Sequence, residues 1–334
     1  MIATLRRKTK DERREIYNIV NMQILENEFM SKHTSFKVGG PARYFVKASS
    51  IESLKNALSF AREKNLPHFI LGNGTNLLVS DKGYDGVIIS LAGDFSEIVD
   101  LGNGKFKVGA ATPLGRFARH TLKQGYAGIH KLVGIPGTLG GAVYMNAGAY
   151  GQEIGQACTG VTVLDAVGNT RELSAAECGF GYRRSVFSDG KEIPGQAADD
   201  NGKIILAATF QLQSAESLGK NAADLEAELA ECMAKRKATQ PLNMPNAGST
   251  FKRLDKGAAE TPTQIAPGYY IEQAGLKGYR IGSAEVSTLH ANFIVNAGGA
   301  TAQDIKCLSE YVQNNVAEKF GITLQREIIL LGEF

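Results

Sequence analysis

No stretch of this 334-residue chain approaches the ~20 consecutive apolar residues of a membrane-spanning helix. The opening, MIATLRRKTKDERREIYNIV, carries charge where a secretory leader needs an apolar run. Membrane insertion is therefore not expected, and the reading places the protein in the cytoplasm. Cysteine is scarce. Cys158, Cys178, Cys232 and Cys307 show no paired spacing, which argues against a zinc site or a disulfide framework and for buried reduced thiols. His33, His68, His120, His130 and His290 are equally dispersed, so no metal is expected. An excess of charge of one sign is lacking too: the formal net charge is +3, with basic residues scattered rather than striped. That balance gives no support to a nucleic-acid partner and leaves any anion to be bound locally.

What is present suits a globular protein of two or three domains, since 43% of residues are hydrophobic and the length exceeds what a single core usually organises. The charged N-terminal arm reads as helical and ends near MSKHTSFKVGG. ARYFVKA, SSIESLKNALSFAREKN and HFILG then read as strand, helix and strand, with Ser49 or Ser50 at the cap and Leu54, Leu58 and Ala61 on one helix face. From about Gly83 to Gln213 short strands predominate (GVIIS, KFKVGA, GVTVLDA, KIILAATFQLQ), with one helix at PLGRFARHTLKQG. Beyond Gln213 two amphipathic helices are predicted. AADLEAELAECMAKRKATQP is stopped by Pro241, and TAQDIKCLSEYVQNNVAEKFG spaces Ile305, Leu308, Val312 and Val316 for one face. TLQREIILLG reads as a final strand.

Two glycine-rich stretches stand out, 71–76 and 134–151. A dinucleotide fingerprint fails in the first, because its third glycine position is Leu77 and strand rather than helix follows. Walker A fails as well, since Gly104 and Lys105 are followed by Phe106. Either stretch alone is an ordinary turn or a place where backbone amides meet a phosphate; together they favour a ligand. Three further stretches look chemical. CGFGYRRS sets Tyr182, Arg183, Arg184 and Ser185 either on a solvated face or at an anion. PNAGSTFKR gives Ser249 as a turn residue or a reactive hydroxyl, with no nucleophile elbow around it. Glu327, which alternation places on one face with Ile329, is either a strand-edge residue or a buried carboxyl of raised pKa.

Six co-linear blocks, LGNGTNLLV, GIPGTLGGAVYMNAGAYG, FGYRRS, PNAGSTFK, AGLKGYRIGSAEVSTLHANFIVN and LQREIILL, strongly resemble the UDP-N-acetylenolpyruvoylglucosamine reductases, from about Ser31 to Gly332. These flavoenzymes make UDP-N-acetylmuramate for bacterial peptidoglycan. The resemblance implies an α+β fold: a two-subdomain FAD-binding domain of the vanillyl-alcohol-oxidase type and a C-terminal α+β substrate domain. With the composition shifts above, it divides the chain into an arm (1–30), subdomain 1 (31–93, with 322–334 returning near it), subdomain 2 (94–213) and a substrate domain (214–321). The arm, outside the resemblance, is expected to be dispensable.

By the same resemblance FAD is held non-covalently, NADPH is co-substrate and the other partner is a small sugar nucleotide. Gly72, Asn73, Gly74, Thr75, Asn76, Pro136, Gly137, Gly140, Gly141, Asn146 and Gly148 would contact the cofactor. Arg183, Ser249 and Glu327 would be catalytic, with Tyr182 and Lys277 at the substrate. The chain departs from longer family members, which carry a loop that folds a tyrosine over the substrate; no equivalent lies between Ser185 and Gln213. The stretch after FK is also longer than usual before IEQAG, which leaves the diphosphate contacts open; Lys235, Arg236 and Lys237 are either replacements or a solvated helix end. Two rivals have distinct signatures. A flavin oxidase of alcohols or hydroxy acids would react rapidly with oxygen once reduced, and a silent sugar-nucleotide or anion-binding protein would be colourless and refuse FAD.

Overall fold

A computed structural model describes residues 5–8, 15–19, 22–188, 202–254 and 266–334. Strands β1 (Leu5–Lys8), β2 (Glu15–Ile19) and β3 (Met22–Phe29) form an antiparallel meander that continues onto β4 (Pro41–Ala48). The helical expectation for the arm is thereby corrected. Its charged run offered no apolar stripe for a helix to bury, whereas MQILENEF alternates and sinks Met22 and Ile24 to 3% and 0% exposure. Met22 and Ile24 of the arm thus belong to the core, which argues against its expected dispensability.

Helix α1 (Ile51–Glu63) crosses from β4 towards β5 (His68–Leu71); after β6 (Leu77–Val79), β7 (Tyr84–Leu91) inserts between β4 and β5, parallel to both. Ser50 and Ser53 close the first turn of α1 with a capping box, and Leu54, Ala57 and Ala61 are its buried residues along with Ser53. A helix of this period buries one face on the sheet, and the expected Leu58 lies at the margin, half-buried.

The second layer comprises β8 (Ile98–Asp100), β9 (Lys105–Gly109), α2 (Leu114–Lys123), β10 (Tyr126–Ala127), α3 (Leu139–Tyr144), the hairpin β11 (Gly148–Ala149) and β12 (Gln152–Glu153), and α4 (Ile154–Ala157). Strands β13 (Cys158–Leu164), β14 (Thr170–Ser174) and β15 (Ile204–Gln211) complete an antiparallel sheet of order β14-β13-β15-β9-β8, and β16 (Gln213–Ser214) pairs with β10. Phe117 of α2 meets Phe106 and Phe210 of the sheet at ring-centroid distances of 6.0 and 5.1 Å, anchoring this core. Cys158 and Cys178 are buried in it, and burial pushes their thiols up to about 12 and about 11. Cys232 and Cys307 are only half-buried, short of the burial expected of them.

Helix α5 (Ala222–Thr239) buries Leu225 beside Leu122, Ala127 and Ala215 of the second layer. The C-terminal layer holds α6 (Pro267–Gln273), a small sheet of β17 (Arg280–Ile281), β18 (Ala284–Val286) and β19 (Ile294–Asn296), and α7 (Ala302–Phe320). On α7, Ile305, Leu308, Val312 and Val316 are all buried, and both oxygens of Asp81 cap its start by accepting the Ala302 and Gln303 amides at 2.8 and 2.9 Å. Finally β20 (Ile329–Leu331) returns to pair in parallel with β6, Ile329 opposite Leu77. The long stretch after FK falls largely on 255–265, and part of 185–213 on 189–201, both outside the described residues.

Candidate active site

The two glycine-rich stretches face each other across a cavity of about 270 Å³ between the first two sheets, lined by Phe69–Leu77, Ala110, Thr138, Gly141 and Ile204 among others. Asn73 ties them together by donating its side-chain N–H to the Pro136 carbonyl at 3.0 Å. Among the described residues the backbone N–H groups of Asn73, Gly74, Thr75 and Asn76, and those of Gly137 and Thr138, donate to no protein acceptor. Unengaged amides on adjoining turns form a concave donor surface that suits a phosphate.

The glycines divide by cause. At Gly74 the backbone has φ +59° and a Cβ would fall 2.0 Å from the His33 carbonyl oxygen, so the protein itself demands glycine. Gly72 and Gly140 are likewise constrained by Thr138 and Ala110, at 2.6 and 3.0 Å from an added Cβ. Gly137 and Gly141 are different. Their nearest neighbours would be 3.6 Å away, so no protein contact forbids a side chain, and each lines the cavity. A Cβ there would take up space at the cavity wall. A flat, phosphate-bearing cofactor such as FAD therefore fits this cradle. The second stretch is not all turn, since α3 lies within it, capped by Thr138 Oγ1 accepting from Gly141 N at 3.4 Å. Two glycines in six residues hid that helix; the Thr138 cap was its one sequence signal.

The cradle opens into a cleft of about 1430 Å³, and the two share Gly72, Asn73, Thr75, Asn76 and Met145 as lining. Arg183, Ser249 and Glu327 all line the cleft. Arg183 sits at φ +51°, a strained backbone for arginine. Its guanidinium is held on two sides: Nε donates to Glu327 Oε1 and Nη2 to the Gly148 carbonyl, both at 2.9 Å. Its side chain also covers the Tyr182 ring, Cζ lying 5.2 Å from the centroid.

Glu327 precedes β20 rather than lying in it, so strand alternation is not what aims it. Its backbone N–H donates to the Thr250 carbonyl at 2.8 Å, and its own carbonyl accepts from Asn76 Nδ2 at 3.0 Å. The carboxyl is 11% exposed, and burial pushes its pKa up against the opposing pull of Arg183. Ser249 follows Gly248 in a turn braced by Asn246 Oδ1, which accepts from Gly248 N at 2.9 Å, and by the Asn292 carbonyl, which accepts from Thr250 N at 2.8 Å. Among the described residues the Ser249 hydroxyl has no protein partner and is available to a ligand. Thr250 and Asn292, which help aim these groups through their carbonyls, were not singled out from sequence, and Asn76, expected at the cofactor, also holds the Glu327 carbonyl through its side-chain amide.

Seven cations line the cleft, Lys32, Lys37, Lys47, Arg183, Lys235, Arg236 and Arg253, against one carboxylate, Glu327. Basic residues scattered in sequence are thus gathered by the fold around an anion-sized space. Lys237 is not among the lining residues. Neither are Asn146, Tyr182 or Lys277. Asn146 spends both ends of its amide on Glu153, Gly181 and Gly155, at 2.8 to 3.1 Å, and so supports the hairpin. Tyr182 Oη accepts from Arg253 N at 3.3 Å, and Lys277 pairs with Glu272 at 2.7 Å.

Comparison with known proteins agrees with this geometry. Residues 42–174 match a family model for an FAD binding domain, and residues 240–331 match the C-terminal domain of UDP-N-acetylenolpyruvoylglucosamine reductase. A UDP-N-acetylenolpyruvoylglucosamine reductase of Caldanaerobacter subterraneus subsp. tengcongensis is 42% identical over 92% of this chain and 93% of its own. One from Clostridium novyi is 39% identical over 97% of both. The crystal structure of the reductase from Thermus caldophilus superposes with a TM-score of 0.74 at 33% identity, covering 93% of this chain and 99% of that one. With a cofactor cradle opening onto an Arg, Ser and Glu cleft and relatives matched along nearly its whole length, the chain belongs to the UDP-N-acetylenolpyruvoylglucosamine reductase family.

Proposed function

We propose that this chain reduces the enolpyruvyl group of UDP-N-acetylglucosamine enolpyruvyl ether to give UDP-N-acetylmuramate, a precursor of bacterial peptidoglycan, with NADPH as reductant. The observation that carries the reading is the convergence of Arg183, Ser249 and Glu327, from three remote segments, on a cation-lined cleft joined to the glycine cradle. FAD, when bound, supplies two-electron hydride exchange between NADPH and the enolpyruvyl double bond.

The chain's own residues supply charge and a proton. Negative charge grows on the carbon beside the substrate carboxylate as the terminal carbon is reduced, and the permanently charged Arg183 fork, held on two sides, stabilises it. Glu327, its pKa raised by burial, keeps a proton to higher pH than a solvated carboxyl and in that form donates to the same developing oxyanion. Ser249 delivers the proton that the carbon needs. A hydroxyl of high intrinsic pKa can do so only when closely placed, and the Asn246 and Asn292 braces that fix its turn support such a placement.

Lys235 and Arg236, on the last turns of α5, are the diphosphate contacts in this reading. Residues 31–93 and 94–213 form the two flavin subdomains, with 322–334 returning to the first. The packing of α5 onto Leu122 and Ala127 supports starting the substrate domain near 240 rather than at 214. Among the described residues no helix is long and apolar enough to cross a membrane. The need for NADPH and a nucleotide sugar supports a cytoplasmic enzyme. A visible spectrum tests the whole reading. The purified protein should be yellow, bleach with NADPH and regain colour on adding the enolpyruvyl ether. Colourless protein that refuses FAD, or reduced protein that only oxygen reoxidises rapidly, would overturn it.

A further inference from the structure

Outside the groups assigned so far, one buried histidine has both ring nitrogens engaged on different elements. His130, in the short turn His130–Leu132, has a side chain 3% exposed. Its Nε2 lies 3.2 Å from Glu228 Oε2 on α5, and its Nδ1 lies 3.3 Å from Gln152 Nε2 on β12. The directions of these bonds are fixed by a neighbour. Gln152 Oε1 accepts the Lys131 amide at 2.9 Å, so the Gln152 NH₂ faces the ring, Nδ1 accepts, and Nε2 carries the proton towards Glu228. Lys131 and Lys220 also pair with Glu228, which holds that carboxylate down to about 2. Burial pulls the His130 pKa down, against Glu228.

Both ends of this chain of bonds lie on elements that reach the cleft. Gln152 stands opposite Ala149 in the β11–β12 hairpin, whose Gly148 carbonyl accepts from Arg183 and whose turn residue Tyr150 lines the cleft at φ +52°. Glu228 sits on α5, which carries Lys235 and Arg236 into the same cleft about two turns further on. We propose that Glu228, His130 and Gln152 are positioning residues that lock the cationic end of α5 to the hairpin holding Arg183, so that seating an anion on α5 and aiming Arg183 are one event. The inference rests on the reading of Arg183 and Arg236 given above.

The test asks whether Arg236, remote from the chemistry, affects the chemical step through His130. In reconstituted holoenzyme, Arg236→Ala should raise KM for the enolpyruvyl ether and also lower kcat by about three- to tenfold, the size of coupling within one hydrogen-bonded network. In a His130→Leu background its effect on kcat should vanish, whereas in His130→Gln, which keeps a donor and an acceptor, it should persist. A purely structural His130 would move flavin content and thermal stability but not this difference. Arg236→Ala raising KM alone, or lowering kcat equally in all three backgrounds, overturns the relay. If His130→Leu is colourless, half-buried Gln152→Leu takes its place with the same expectations. Should wild-type enzyme accept electrons from NADPH yet ignore the enolpyruvyl ether, the functional reading fails, and the same comparison on the saturated rate of flavin reduction by NADPH still decides the relay.

Discussion

Replacing Ser249 by alanine separates chemistry from architecture. The Ser249 hydroxyl has no protein partner among the described residues, and its turn is held by Asn246 and Asn292 through Gly248 and Thr250. Removing it therefore leaves each of those bonds in place, and stability should change by no more than about 0.5 kcal/mol, as for a substitution away from any structural contact. The loss must then appear in the step that uses the oxygen. A positioned general acid contributes roughly 10²- to 10⁴-fold, equivalent to about 3–5 kcal/mol of barrier. Stopped-flow mixing separates the two half-reactions. NADPH should bleach the variant's flavin at close to the wild-type rate, and reoxidation by the enolpyruvyl ether should slow at least ~10²-fold. Equal slowing of both halves would show that Ser249 positions the flavin instead, and no slowing of either would mean that another group or a water delivers the proton.

Four other outcomes follow from the same geometry. Arg183→Lys keeps charge but cannot reproduce the paired bonds to Glu327 and Gly148, so kcat should fall by about 10²-fold or more, while Arg184→Lys, off the cleft lining, should fall less; the opposite ranking in steady-state assays would identify the wrong arginine. Gly141→Val adds a Cβ that meets no other element's atom closer than 3.6 Å at the cavity wall, and should lower flavin occupancy, read from the 450 nm to 280 nm absorbance ratio, with little change in the secondary-structure spectrum; full occupancy would move the cofactor elsewhere. Because the Glu327 pKa is raised on folding, the native state binds the extra proton, so stability falls as pH rises from the unfolded value through the folded one. Thermal midpoints of wild type should therefore drop relative to Glu327→Gln across that window and run parallel above it; a gap moving the other way refutes the sign. Truncation through Phe29 removes β3 with Met22 and Ile24 and should yield insoluble or flavin-poor protein, whereas a yellow, active product would show that β4 can stand as an edge.

The parts of this fold that could be read in the sequence are those whose energetics are local. Ser50 at the α1 cap and the Ile305, Leu308, Val312, Val316 stripe on α7 satisfy capping and periodic burial within one element. The N-terminal strands were misread because RRKTKDERRE has no period, and what orders β3 is pairing to β4 rather than anything inside the arm. In the site, the glycine stretches betrayed a close approach, but only the structure separates Gly137 and Gly141, where outside the local backbone no protein atom comes closer than 3.6 Å to an added Cβ, from Gly74, which yields to His33. Neither Lys277 nor Tyr182 is among the cleft-lining residues: Lys277 pairs with Glu272, whereas Tyr182 borders the cleft through two residues that do line it, lying under Arg183 and accepting from the Arg253 amide. Thr250 and Asn292 went unnoticed because their partners are main-chain atoms of distant residues, and the bond from Asn76, which was read as a cofactor contact, to the Glu327 carbonyl is equally invisible to any spacing rule.

The return of β20 to β6 also sets an order in time. The cradle's two sheets are complete once β15 ends at Gln211, but Glu327 is made 116 residues later (327 − 211). At roughly 5–20 residues per second, ribosomes leave an interval of about 6–23 s in which a nascent chain has both sheets and both glycine-rich stretches but neither its buried acid nor Ile329, which completes the cavity lining. Only when Ile329 pairs beside Leu77 does Glu327 reach Asn76 and Arg183, so one strand closes the cavity and delivers its carboxyl together, and a chain stalled in that interval would lack both.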